Sequence, residues 1–400
     1  MIARRHQVAL ALTALLTSAA ACQARDHQPT DRPGRPAPAA ARGFTLVASG
    51  DILPHTAVID RARFDAGGVG GVAGVGGVAG VGGVAGSGYD FRPMFEGARS
   101  VVSRADLALC HLDTPYGANG DYTGHPLFRS PPEIAQALAA TGYDDCSTAS
   151  DHSLDDGAAG VQRTLDALDA AGVRHAGTAR TEAEGNSVTL LRAGRATVAH
   201  LAYTDDTGGQ PLPPGQPWTV NLADENRIVA DAKAARKAGA DVVVVSVHGG
   251  TAWQDAPDDR RLALARTLTA SRTDGRPDID LILGSRAHVP QAYEKVNGTW
   301  VVYGLGDQIA GEMVNRQGVP DPRGSQSTVA RFTFGPPARP GGRWEVRKAE
   351  FVPQMFDIDA GRVVDLDQAL AQGAGVAGVR DRIRDVVLSR GAAKDGLVMG

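Results

Sequence analysis

Lysine and aromatic side chains are scarce in this chain. Only five of its 41 basic residues are lysines. With abundant Ala and Gly, that bias points to a GC-rich genome more than to an activity. Aromatics are 5% of residues, too few for stacking against sugars or bases to be a first expectation. There is no excess of positive charge, since Lys+Arg is 41 against 45 Asp+Glu, a formal charge of −4. That argues against nucleic-acid binding and against membrane-surface binding driven by a positive field. Hydrophobic residues at 42% and charged residues at 22% are ordinary globular values and exclude a mostly disordered chain. A length of 400 residues allows two or three domains, or one large one.

Cysteine is limited to three residues, and the first lies in an export-type leader. Arg4 and Arg5 precede the apolar run Val8 to Leu16, which is too short to span a bilayer. Small residues then lead to Ala19-Ala20-Ala21-Cys22. Either an ordinary signal peptidase cleaves at the small-residue site, or Cys22 accepts the lipid of a bacterial lipoprotein. The lone cysteine and the Pro/Ala-rich tether behind it, 22–42, favour lipidation, although Ala19 stands where that signal usually has Leu. The predicted location is therefore outside the cell, on the face of the membrane or secreted. In an oxidising compartment Cys110 and Cys146, each at the exit of a predicted strand, are candidates for a disulfide; the other reading is two buried thiols.

Segment 67–88 repeats Gly, Val and Ala without charge or a helical face and reads as a low-complexity surface loop. Elsewhere strands and helices alternate, which is an α/β pattern. Predicted strands cover 44–49, 106–110, 143–148, 173–176, 188–192, 197–203 and 279–283. The uninterrupted apolar run Asp241 to Val247 reads as a strand covered on both faces. Helices are predicted at 93–104, 131–142, 157–171, 222–238 and 258–271, and Asn297-Gly298 as the turn of a hairpin. A main domain over 43–310 is followed by an extension, 311–400, packed on it, with strands near 328–334 and 344–352 and a helix near 366–389.

Polar residues collect where these strands end. The exits read Gly50-Asp51 with His55 nearby, His111-Leu112-Asp113, Ser150-Asp151-His152-Ser153-Leu154-Asp155, His248-Gly249-Gly250, Gly284 to His288, and Gly306-Asp307. One such pair is usually a turn or a cap. Six in order mark the edge where open α/β sheets bind ligands. Asp and His there suit hard or borderline divalent metals, and two metals sharing a carboxylate polarise a phosphoryl oxygen and activate water. His125, His175 and His200 lie outside the pattern and read as structural.

In this order the motifs resemble the CapA family, named for poly-γ-glutamate capsule synthesis and similar to a divergent branch of the calcineurin-like metallophosphoesterases. The resemblance runs from Phe44 to about Gln308, through Gly50-Asp51-Ile52-Leu53, His111 to Pro115, Ala149 to Gly157, Val247 to Gly250, Gly284 to Val289 and Tyr303 to Gln308. It implies a four-layer αββα sandwich with its site at the strand C-termini. It also implies one or two divalent ions (Mn, Zn, Fe or Mg) held by Asp51, Asp113, Asp151, His248 and His288, with His152 near the leaving group. Asp113 stands for the family's usual Glu, Asp151 and Asp307 for Asn, and Arg286 for a His found in many relatives. Arg286 is then a candidate partner for a substrate carboxylate or phosphate. The implied function is a metal-dependent hydrolase or transferase in envelope or capsular polymer synthesis. Its expected partners are an anionic polymer or phosphoester, the membrane through a lipid anchor, and envelope synthesis proteins. The alternatives are a catalytically degenerate binding or export partner, and a solute-binding lipoprotein, against which the strand-exit clusters argue.

Overall fold

The computed structural model describes residues 43–68, 88–339 and 342–400. The leader 1–21, the tether with Cys22 and nearly all of the 67–88 repeat lie outside the described residues. The first sheet begins with four parallel strands, Phe44–Ile52 (β1), Leu107–Leu112 (β2), Asp145–Ser147 (β3) and Arg174–Ala176 (β4). The chain then builds a second sheet from Thr189–Ala193 (β5), Ala196–Thr204 (β6) and Val242–His248 (β7). After a small ribbon, Arg272–Thr273 (β8) with Arg276–Pro277 (β9), that sheet adds Leu281–Ser285 (β10), Tyr293–Val296 (β11) and Thr299–Val302 (β12). The chain finally returns to the first sheet with Asp307–Ile309 (β13), Gln326–Gly335 (β14), Glu345–Asp357 (β15), Arg362–Asp365 (β16) and Leu397–Met399 (β17). The orders are β16-β15-β14-β1-β2-β3-β4, with β13 beside β1 and β17 beside β15, and β11-β12-β10-β7-β6-β5.

Alternation along the strands explains the layers. On β7, Val242 and Val244 face the first sheet and pack in one core with Leu46, Leu109, Leu283, Val302 and Phe332. Val243, Val245 and Val247 point the other way, as the two-residue period requires. On the first sheet Val47, Ala108 and Cys110 turn outward against helices Thr56–Gly68 (α1), Glu96–Val102 (α2), Glu133–Thr141 (α3) and Gly157–Ala171 (α4). A single short turn of helix, Glu182–Gly185 (α5), precedes β5. Glu225–Lys237 (α6) and Asp259–Ala270 (α7) cover the outer face of the second sheet through Ile228, Ala232, Leu264 and Leu268. The result is the expected four-layer αββα sandwich.

Caps set several helix ends. Asp224 and Asp258 accept the backbone N–H of Arg227 and Arg261 at 2.8 and 2.9 Å. Gly172 closes α4 in the left-handed conformation at φ 78°. The helix expected over 366–389 is two, Leu366–Ala371 (α8) and Ala377–Val387 (α9), parted at Gly373, whose φ is 90°. The helix expected from Pro93 opens as one 3-10 turn, Arg92–Phe95, before α2. Strands beyond residue 310 are not peripheral, because β14 pairs with β1 over Phe44 to Ala48.

Candidate metal centre

Strand register builds the site. In the first sheet Asp307 lies opposite Asp51, Asp51 opposite His111, and His111 opposite Ser147. This makes one polar row across four strands, at the C-terminal ends of β1, β2 and β3 and at the start of β13. In the second sheet Thr204 lies opposite His248, and His248 opposite Ser285. The two rows meet face to face, with His111 Nε2 2.8 Å from His248 Nδ1. Glycine lets the strands close up beside this row: a Cβ on Gly50 would stand 2.0 Å from the Gly306 carbonyl oxygen. Arg286 and His288 hold left-handed backbone at φ 81° and 59°. Such conformations cost non-glycine residues about 1–3 kcal/mol and persist where surrounding structure enforces them.

Among the described residues, two groups of side chains place one potential ligand atom each within 4.8 Å of the others: Asp51, His111, Asp113 and His248, and Asp51, His288 and Asp307. Asp51 belongs to both. Its Oδ2 accepts the Arg286 backbone N–H at 2.9 Å, whereas its Oδ1 has no hydrogen-bond partner. Asp113 is fully buried, and neither of its carboxylate oxygens has a hydrogen-bond partner. Buried carboxylates without partners are unusual and costly. Burial, then the neighbouring Asp307 and Asp113, drive the Asp51 carboxyl well above its ordinary range. Burial likewise raises Asp113. A bound cation would satisfy these three oxygens, so the residues fit a divalent metal.

Cys110 and Cys146 face each other in the β2–β3 register and are disulfide-bonded, with Cα atoms 4.4 Å apart. The bond sits one residue before His111 and Ser147, and so ties the two strands whose exits lead to Asp113 and Asp151.

The family described as bacterial capsule synthesis protein PGA_cap matches residues 45–312. The chain belongs to the PGA_cap family. It is 24% identical over 236 residues to the capsule biosynthesis protein CapA of Bacillus anthracis, covering 53% of this chain and 56% of that one. It is 29% identical over 182 residues to the PGA biosynthesis protein CapA of Bacillus subtilis, covering 44% and 45%. The chain thus spans about half the length of the curated relatives it matches. A solved 5'-nucleotidase precursor from Thermus thermophilus is similar at 15% identity and a TM-score of 0.40, over 85% of this chain and 59% of that one.

Within this PGA_cap chain the remaining candidate residues divide by position. Asp151 lies outside both groups of potential ligands. Its Oδ1 is 2.9 Å from His248 Nε2 and its Oδ2 is 3.2 Å from the Arg286 guanidinium. Burial works to raise the Asp151 carboxyl, but the His248 hydrogen bond and nearby positive charge hold it well below the usual range. Arg286 reaches on to Asp206 at 2.5 Å. His152 packs on Phe128 at 4.6 Å and bonds Asp155 through Nδ1 at 2.7 Å, with Nε2 4.0 Å from Asp151. Burial opposes its charge, yet the Asp155 bond and the Asp113 and Asp151 carboxylates push it up to about 9. His288 Nδ1 lies 3.1 Å from Asp307; burial opposes its charge, but the charge and hydrogen bond of Asp307, with Asp113 and Asp151 behind them, together raise it. His200, read as structural, bonds Asp145 and Ser246 between the sheets. His111 and Asp307 stand in the exit motifs without being chosen from sequence; only the cross-strand register singles them out.

Proposed function

We propose that this chain is an exported, metal-dependent hydrolase or transferase acting on an anionic envelope polymer of the poly-γ-glutamate kind or on a related phosphoester. The observation that carries this reading is the set of three partnerless, buried carboxylate oxygens on Asp51 and Asp113, gathered with His248 and His288 at one sheet edge. Asp51, Asp113 and His248 would hold one divalent ion (Mn, Zn, Fe or Mg) and Asp51, His288 and Asp307 a second, with Asp51 shared. When bound, such ions polarise the scissile group and lower the pKa of water. His152, kept protonated by Asp155, donates a proton to the leaving group. Arg286 exchanges Asp206 for a substrate carboxylate or phosphate while Asp151 holds the guanidinium in place. The leader and tether support export, with Cys22 lipidated and the domain held at the outer face of the membrane near envelope synthesis proteins. Mass spectrometry of the mature N-terminus checks that part; an unmodified Cys22 rejects the anchor.

A second reading, a degenerate binding or export partner, is favoured by one contact: Asp151 occupies His248 Nε2, the nitrogen a metal would use. Metal analysis of the purified mature chain separates the two, followed by turnover of phosphoester and γ-linked polyglutamate substrates in Mn²⁺. Stoichiometric metal with turnover supports the enzyme. A chain that takes up no metal and turns over nothing leaves the binding partner.

A further inference from the structure

His248 is the ligand candidate whose two ring nitrogens face different worlds. Nε2 looks into the site, 2.9 Å from Asp151 and 3.8 Å from Asp113. Nδ1 looks into the protein, 2.8 Å from His111 Nε2 and 3.0 Å from Ser285 Oγ. A neutral imidazole has one donor nitrogen and one acceptor nitrogen. To offer a lone pair at Nε2, His248 must carry its hydrogen on Nδ1, and that hydrogen needs an acceptor.

We propose that His111 and Ser147 form a tautomer-setting relay that supplies this acceptor, with His111 a positioning residue and not a ligand. The direction of the relay is set at its far end. The Cys110 carbonyl can only accept, and the Ser147 hydroxyl donates to it at 3.4 Å. Ser147 Oγ is then free to accept from His111 Nδ1–H at 2.6 Å. With its hydrogen on Nδ1, His111 presents a lone pair at Nε2, which accepts from His248 Nδ1–H. The Asp151 carboxylate can only accept, so while it keeps its 2.9 Å contact Nε2 is the donor. A cation that displaces Asp151 would take the Nε2 lone pair on the Asp113 side, and the relay then holds the hydrogen on Nδ1. A ligand role for His111 conflicts with this arrangement, because a single Nε2 lone pair cannot serve both His248 and a metal.

The relay is built rather than incidental. His111, Ser147 and His248 are all buried, so water does not substitute for a missing member. His111 and Ser147 are register partners on β2 and β3, and the Cys110–Cys146 disulfide fixes that register one residue earlier. Partners of this kind, behind a ligating histidine, typically change metal affinity by about 10–100-fold when removed.

The inference rests on the metal reading of the site, and the test keeps the two apart. Mn²⁺ binding to the mature chain is measured by calorimetry for wild type, His111→Leu, His111→Gln, Ser147→Ala and His248→Ala. His111→Leu is expected to weaken binding by about 10–100-fold and Ser147→Ala by about 10-fold. His111→Gln, whose amide restores an acceptor near the Nε2 position, is expected to recover most of the affinity. In the Zn²⁺-loaded protein, a His248 Nδ1–H resonance is expected by NMR in wild type and in His111→Gln, and its loss in His111→Leu. Should His111→Leu fail to fold, Ser147→Ala and the resonance carry the test. Unchanged binding in the Leu and Ala variants overturns the relay alone. Loss in His111→Gln as complete as in His248→Ala makes His111 a ligand and also overturns it. A wild type that takes up no Mn²⁺ or Zn²⁺ defeats the metal reading and the relay together.

Discussion

His248 and His152 both turn Nε2 toward Asp151, at 2.9 and 4.0 Å, but what stands behind each ring differs. Behind His248 are two further side chains, His111 and Ser285, both buried. Behind His152 is a carboxylate, Asp155, which keeps the imidazole protonated. The first arrangement suits a ligand and the second a proton donor. His248→Ala is therefore expected to lose metal and activity together. His152→Ala should retain metal and lose turnover by about 10²–10⁴-fold. Metal content and steady-state rates measured on the same preparations check this; metal loss in His152→Ala would remove the distinction. Asp51, Asp113, His248 and His288 were legible as strand-exit residues because each follows an apolar run. His111 and Asp307 follow such runs too, but their significance depends on which strand lies beside which. Asp151 was legible as an exit residue, while its contact with His248 crosses from one sheet to the other.

Among the elements, the β2–β3 pair bears most of the site's first-sheet residues and a covalent clip. The disulfide closes a segment with a sequence separation of 36. Closing a loop of that length is worth about 2–4 kcal/mol. The double variant Cys110→Ala, Cys146→Ala is expected to lose that much stability, seen as a lower urea midpoint. Its metal affinity should fall as well, because Asp113 and Asp151 leave strands whose spacing is no longer fixed. Reductant added to wild type should reproduce both effects, and no response to it would show that sheet hydrogen bonding alone holds the register. The export-type leader read from the sequence and the matching strand exits made this pair legible in advance. The split between α8 and α9 was not, since a periodic apolar pattern does not reveal that Gly373 turns left-handed between them. Nor does alternation reveal that β14, almost three hundred residues after β1, is its antiparallel neighbour.

Across the whole molecule, both cores between helix and sheet and the core between the sheets contain buried tyrosine. Tyr116 lies in the first helix-covered core, Tyr293 between the sheets, and Tyr203 and Tyr303 under α6 and α7. Burial raises the phenol in each of them, and raises Tyr143 to about 12. An unfolded tyrosine ionises near 10. Below that pH the folded and unfolded chains hold the same phenolic protons, and stability does not respond. Above it the unfolded chain releases protons that the folded chain keeps, so stability falls as pH rises. The slope is up to about 1.4 kcal/mol per pH unit for each such tyrosine, and the share due to Tyr143 is spent near its folded value. The urea midpoint is thus expected to be insensitive to these phenols up to about pH 9.5 and to drop steeply above about pH 10. Tyr143→Phe should make the drop shallower, since the ring still fills its place while the phenol and its hydrogen bond to Gln308 at 2.8 Å are given up. Because the tyrosines are spread through three cores, far-UV and near-UV signals should fall together as one transition. A midpoint that stays flat to pH 11 would mean that these phenols reach solvent, and that the layers are packed more loosely than the sandwich requires.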